Sequence, residues 1–238
     1  MYEYQKFCAG GDYFPLFAET LKTGAHTLIA GVTGAGKSVF LNGLLSSFVS
    51  LYSPENGIVL IDPKRVELME WELFPHCRKY ADTPETIRSA LLAVQNCMRK
   101  RFSVIKSTRS KKWTGGGLYV IIDELADIID DRETFNVLFD LLRLGRAAGV
   151  HIIAATQHPQ KGAGGIPAAL NNNFDARIAL RCQTAIQSRQ ILGVPGAEFL
   201  PPFGECLSWW CGILQRWKVP LVSDAAEKLA RYRQPIAI

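Results

Sequence analysis

Gly31-Val32-Thr33-Gly34-Ala35-Gly36-Lys37-Ser38 is the stretch whose reading decides the fold. It fills every fixed position of the pattern G-x-x-x-x-G-K-[ST]. Before it, His26-Thr27-Leu28-Ile29-Ala30 reads as a short buried strand. After it, Val39 to Phe48 carries apolar residues at helical spacing. Strand, glycine loop and helix form the context in which this pattern wraps a phosphate chain. Glycines let backbone N–H groups turn inward, and the new helix offers the positive end of its dipole. Gly31, Val32, Thr33, Gly34, Ala35, Gly36, Lys37, Ser38 and Val39 are therefore the expected binding residues for a nucleoside triphosphate such as ATP. Lys37 would reach the β- and γ-phosphates, and the Ser38 hydroxyl would hold Mg²⁺.

A second anchor lies about 85 residues on. Leu118-Tyr119-Val120-Ile121-Ile122 is an apolar strand that ends in Asp123-Glu124, the Walker B pattern. Asp123 is placed to hold Mg²⁺ through its water shell, and Glu124 to polarise the attacking water. Further along, Val150 to Thr156 reads as another buried strand, with Gln157 at its tip to sense the γ-phosphate or orient water. Ile58-Val59-Leu60-Ile61 is fully apolar, as an interior strand of a parallel sheet requires. Asp62-Pro63-Lys64-Arg65 follow at its carboxyl end, where open parallel sheets bind ligands.

The remaining elements follow from local signals. Asp12–Phe17 and Leu21–Gly24 suggest a strand or loop leading into the phosphate-loop strand. A helix capped by Asp82 or Thr83 runs to about Ile105, and Trp113–Gly117 is a flexible turn. Thr134–Gly145 is an amphipathic helix, and Lys161–Gly165 a mobile loop. A helical segment around Ala168–Asn173 precedes an apolar strand, Ala176–Arg181. Gln187–Leu192 is a short helix, and Cys206–Trp210 with Gly212–Val219 form a hairpin. The expectation is one α/β domain over residues 1–238, a mostly parallel sheet with helices on both faces.

Hydrophobic residues make up 48% of the 238 and charged ones 21%, enough for a sizeable core. No run is long and apolar enough to span a membrane, and the N-terminus lacks a signal-peptide pattern. The six cysteines form no C-x-x-C pair, which argues against zinc or a disulfide framework and for a reducing, cytoplasmic setting. Net charge is +5, but Arg99–Lys112 alone holds seven basic residues and no acid, leaving the rest slightly acidic. Such a cluster is either a solvated helix end or a contact for a phosphate backbone.

Taken together, His26–Phe40, Ile61–Leu68, Val120–Asp127, Arg146-Ala147-Ala148-Gly149-Val150-His151 through Gln157, and Ile166–Ile191 resemble the motor domain of the FtsK/SpoIIIE family of DNA translocases. The resemblance covers about Gly11 to Cys206. It implies a RecA-like P-loop NTPase fold, ATP and Mg²⁺ as cofactors, and a homo-oligomeric ring, usually a hexamer, that threads double-stranded DNA. Catalytic roles then fall to Lys37, Glu124 and Gln157, with Arg146 or Arg189 completing a neighbour's site. Lys64, Arg65, Lys111, Lys112 and Lys161 are candidate DNA contacts, and Trp113–Gly117 and Lys161–Gly165 candidate channel loops. The pattern departs from the family where His158-Pro159 stands in place of Arg-Pro. About thirty residues precede the phosphate loop, and neither membrane helices nor a winged-helix domain is present. A minimal motor of a mobile element or phage, or a domain of a longer protein, fits this better than chromosome segregation. Protein export of the type VII kind, conjugative coupling, and a DNA-binding ATP switch that does not move are the rival readings.

Overall fold

The computed structural model describes residues 15–157 and 165–219. In chain order the elements are α1 (Pro15–Lys22), β1 (Thr27–Ala30), α2 (Lys37–Leu51), β2 (Gly57–Ile61), a 3₁₀ turn (Met69–Leu73), β3 (Cys77–Ala81), α3 (Pro84–Ser107), β4 (Leu118–Ile122) and α4 (Arg132–Leu144). A second 3₁₀ turn (Gly145–Ala148), β5 (Val150–Thr156), α5 (Ala168–Asn171), β6 (Ala176–Ala179), α6 (Ala185–Leu192), β7 (Glu205–Trp210) and β8 (Ile213–Lys218) follow. One sheet holds all eight strands in the order β3-β2-β4-β5-β1-β6-β7-β8. The first six run parallel, and β7 and β8 are added antiparallel at one edge.

Alternation along each strand divides the core between the two faces, because successive side chains point to opposite sides. Ile58, Leu60, Tyr119, Ile121 and Ile153 pack under α1 and α2 with Phe17, Phe40, Leu44 and Phe48. Val59, Ile61, Val120, Ile122 and Ile152 pack under α3 and α4 with Leu91, Val94, Leu138 and Leu141. Helix starts follow their caps. The Thr83 hydroxyl accepts from the Thr86 amide while the Thr86 hydroxyl accepts from the Thr83 amide. Asp131 accepts from the Thr134 amide at 2.9 Å to open α4.

Two readings of the sequence are corrected, and one strand is added that was not foreseen. From residue 15 on, the expected strand or loop ahead of β1 is the helix α1, begun by Pro15, with Phe17 edge-on to Phe40 at 5.0 Å. An unexpected strand, β3, forms the outer edge beside β2; Arg78 and Lys79 on it suit an edge and hide its strand character. Trp113–Gly117 is braced rather than loose. The Arg101 guanidinium lies 4.8 Å over the Trp113 ring and donates to the Gly116, Ala148 and Gly149 carbonyls. Lys161 and most of the loop around it lie outside the described residues. Among the described residues no helix is long and apolar enough to cross a membrane.

Candidate nucleotide site

The sheet order explains why distant residues meet. Strand β5 lies between β1, which leads into the glycine loop, and β4, which ends at Asp123-Glu124; β2 flanks β4 on its other side. The tips of all four strands, at their carboxyl ends, therefore converge. Backbone bonds extend the pairing past the strands: the Gly31 amide donates to Thr156, Leu125 to Ala155 and Asp123 to Ile61. Gly31 is required by this closeness, since a Cβ there would sit 2.7 Å from the Leu180 Cβ. Gly34 and Gly36 carry positive φ angles of 79° and 94°, the left-handed geometry that turns the loop's amides inward.

Lys37, the first residue of α2, reaches into the buried centre. Its ammonium donates to the Asp123 carbonyl at 2.8 Å and lies 3.3 Å from Asp123 Oδ1 and 3.5 Å from Glu124 Oε2. Asp123 Oδ1 is buried and has no hydrogen bond with proper geometry, even with Lys37 alongside. Burial raises the Asp123 pKa, Lys37 opposes that rise, and the acids Glu67 and Asp62 add to it. Asp62 is buried too, its Oδ2 accepting from the Glu67 and Leu68 amides and the Tyr80 hydroxyl.

Glu124 is wholly buried and fully engaged. Its two carboxylate oxygens accept from the Gln157 amide at 3.1 and 3.2 Å, and Oε2 also meets Lys64 Nζ at 3.3 Å. Burial alone would favour its neutral form. Lys37, the Thr156 hydroxyl, Lys64 and the Gln157 amide outweigh burial and hold its pKa below the usual glutamate range. Burial would lower the Lys64 pKa, but Glu124, with Asp127 and Asp123 behind it, raises it instead. Thr33 donates to Gln157 Oε1 at 2.8 Å, so the glycine loop and the tip of β5 are joined by one side-chain bond.

Lys37, Asp123, Glu124 and Gln157 thus come together around the loop, with Ser38 and Val39 following Lys37 in the first turn of α2. Arg146 lies elsewhere. It precedes β5 and pairs with Asp175 at 2.8 Å, a seven-residue strand (roughly 20 Å) away from Gln157 in the same subunit. Arg189 is exposed on α6. Lys111 and Lys112 are exposed beyond the end of α3, where the strands begin, opposite the glycine loop. Arg65 is 60% exposed and pairs with Asp82 at 3.1 Å. Lys64, read as a DNA contact, is turned inward onto Glu124.

Sequence reasoning also missed a cleft of about 320 Å³ beside the loop, lined by Val32, Thr33, Gly34, Arg181, Glu198 and Pro202. Its far wall is built from the segments after β6 and before β7, which carry no phosphate-loop signal. The position of Arg181 at the end of an apolar strand was the one available clue.

The sequence model of the FtsK/SpoIIIE family matches residues 14–192. A DNA translocase FtsK of Staphylococcus epidermidis is 33% identical over 205 residues, an alignment covering 76% of this chain and 26% of that protein. The chain spans about a quarter of the length of the curated relatives it matches. Among solved structures, the pCW3 conjugation coupling protein TcpA with ATPγS aligns at a TM-score of 0.75 and 23% identity, covering 89% of this chain and 65% of that one. The cytoplasmic domain of the Thermomonospora curvata type VII secretion ATPase EccC aligns at 0.73 and 23% identity, covering 89% and 28%. These two likenesses concern the fold. With the loop, the acidic pair and the strand order in place, the chain belongs to the FtsK/SpoIIIE family and carries a P-loop ATPase module of that family.

Proposed function

We propose that this chain hydrolyses ATP to drive double-stranded DNA through a homo-oligomeric ring, six subunits being the expected number. The observation that carries the reading is Glu124, buried beside Lys37 and held by the Gln157 amide. On this reading Glu124 is the general base beside the phosphate loop. On binding, ATP phosphates draw the Lys37 ammonium from the acids onto the β- and γ-oxygens. Glu124 then accepts a proton from the water whose oxygen attacks the γ-phosphorus. The bond to the bridging oxygen breaks with its electron pair leaving on ADP. Ser38 and Asp123 fit a divalent cation, since Asp123 offers a buried oxygen with no hydrogen bond. Mg²⁺ there would neutralise phosphate charge. Arg146 or Arg189 of a neighbouring subunit completes the site.

Exposed Lys111 and Lys112 supply charge for DNA phosphates without reading bases, so binding weakens steeply with salt. The relatives' description as DNA translocases supports this choice of cargo. The test is steady-state ATP hydrolysis with and without linear double-stranded DNA across salt, beside Lys37→Ala and Glu124→Gln. Stimulation that is lost at high salt and in both variants is expected. Hydrolysis indifferent to DNA in a verified oligomer would reject DNA as the cargo and favour protein export.

A further inference from the structure

The acid that must accept a proton is, in this structure, already occupied. Oε2 of Glu124 lies 3.5 Å from Lys37 and 3.3 Å from Lys64, and both oxygens accept from the Gln157 amide. A bound triphosphate gives Lys37 a reason to leave, because its phosphates offer more negative charge than one carboxylate. Lys64 reaches in from a different element, the turn after β2, and is tied to Asp127 at 3.9 Å as well.

That turn holds one residue in a strained conformation. The Arg65 amide donates to the Asp62 carbonyl, closing the turn, and Arg65 has a φ of 59°, a left-handed conformation that costs energy for a residue with a side chain. Arg65 points outward and pairs with Asp82, while its neighbour Lys64 points inward to Glu124. One short, strained turn therefore presents a cation to the exterior and another to the acid.

We infer that Lys64 is a positioning residue that restrains Glu124, and that the Asp62–Arg65 turn relieves this restraint when a phosphate backbone takes Arg65 from Asp82. The second half rests on the DNA reading above; the first does not. Lys64 acts through Glu124, so it changes turnover and leaves ATP affinity alone.

The test compares Lys64→Met, Lys64→Arg and the unaltered protein, reading kcat and KM with and without linear double-stranded DNA. Lys64→Met is expected to raise DNA-free kcat about three- to fivefold, the scale of one half-exposed ion pair, with KM for ATP unchanged. It should also shrink the DNA stimulation ratio, and Lys64→Arg should restore both values. Arg65→Ser should reduce the stimulation ratio. Lys64→Gln takes the place of Lys64→Met if thermal unfolding shows that the methionine variant is not folded. A fall in kcat, or no change, would overturn the restraint, as would Lys64→Arg behaving like Lys64→Met. If the unaltered protein ignores DNA while Lys64→Met still speeds turnover, the restraint stands and DNA is rejected as its release. If DNA stimulates but Lys64→Met does not speed turnover, the cargo reading stands and the inference falls.

Discussion

Lys37 and Glu124 share one ion pair, yet removing each has a different consequence. Lys37→Ala takes away the charge beside buried Asp123, so the nucleotide-free protein should lose about 3–5 kcal/mol in urea denaturation, the cost of breaking a buried pair. It should also lose nucleotide affinity in calorimetry. Glu124→Gln keeps the loop and its lysine. Nucleotide binding should survive while phosphate release falls about 10²–10⁴-fold, the usual contribution of a general base. His26 gives a pH signature away from this chemistry. Burial first, then the charges of His151 and Arg146, lower its pKa to about 3. An unfolded imidazole titrates near 6.5. Between those values the unfolded chain takes up a proton that the folded chain refuses. Stability is therefore lost as pH falls through that window, by up to about 1.4 kcal/mol per pH unit for this group. His26→Gln keeps an acceptor for the Ile152 amide, which bonds His26 Nδ1 at 3.0 Å, and should flatten that slope in urea titrations. At this scale the loop and the Asp123-Glu124 pair were legible because each is a contiguous pattern. The contact of Lys64 with Glu124 was not, since those residues stand 60 positions apart and meet only because β2 pairs with β4.

The elements that were hard to read are those whose identity depends on tertiary support. Helix α1 has eight residues, too short to hold itself in water, and forms because Leu16, Phe17 and Leu21 bury against α2. Phe17→Ala should cost about 3–5 kcal/mol in urea denaturation, the range for emptying a fully buried phenylalanine site. Strand β3 was hidden by its charges, whereas β2 and β4 were plain because both faces of each are covered. The Trp113–Gly117 turn looked loose from its glycines, and only the structure shows Arg101 spent on three carbonyls around it. Arg101→Met removes those bonds. Amide exchange across Trp113–Gly117 should speed by at least about tenfold in mass-spectrometric hydrogen exchange, as loss of more than one net hydrogen bond implies.

For the whole molecule, the proposed ring requires that one subunit complete its neighbour's site. Arg146 is separated from its own subunit's loop by the length of β5, so any role it has in hydrolysis must be exercised on a neighbour. Mixing experiments decide between the two arginines. Subunits carrying Glu124→Gln supply an intact arginine, and subunits carrying Arg146→Ala or Arg189→Ala supply an intact base. Glu124→Gln and the variant that lacks the true trans arginine should each be slow alone, and the other arginine variant should turn over normally. The pair that contains the true trans arginine should regain about a quarter of normal turnover when mixed equally, because only one interface type in four joins the intact halves at random. The parallel α/β class was legible from alternating apolar strands and helices, and the terminal hairpin from its paired runs. The strand order was not, because nothing local dictates which strand lies beside which.

That order has a further consequence. The loop proposed to grip the nucleotide hangs from β1 and the acid proposed to aim water hangs from β4, with β5 between them. Thr33 and Gln157 form the side-chain link from that loop to the β5 tip. Grip and pace therefore have separate adjustment points. On that reading, substitutions at the Gln157 end of the link would retune the wait before hydrolysis and leave the loop's own residues untouched.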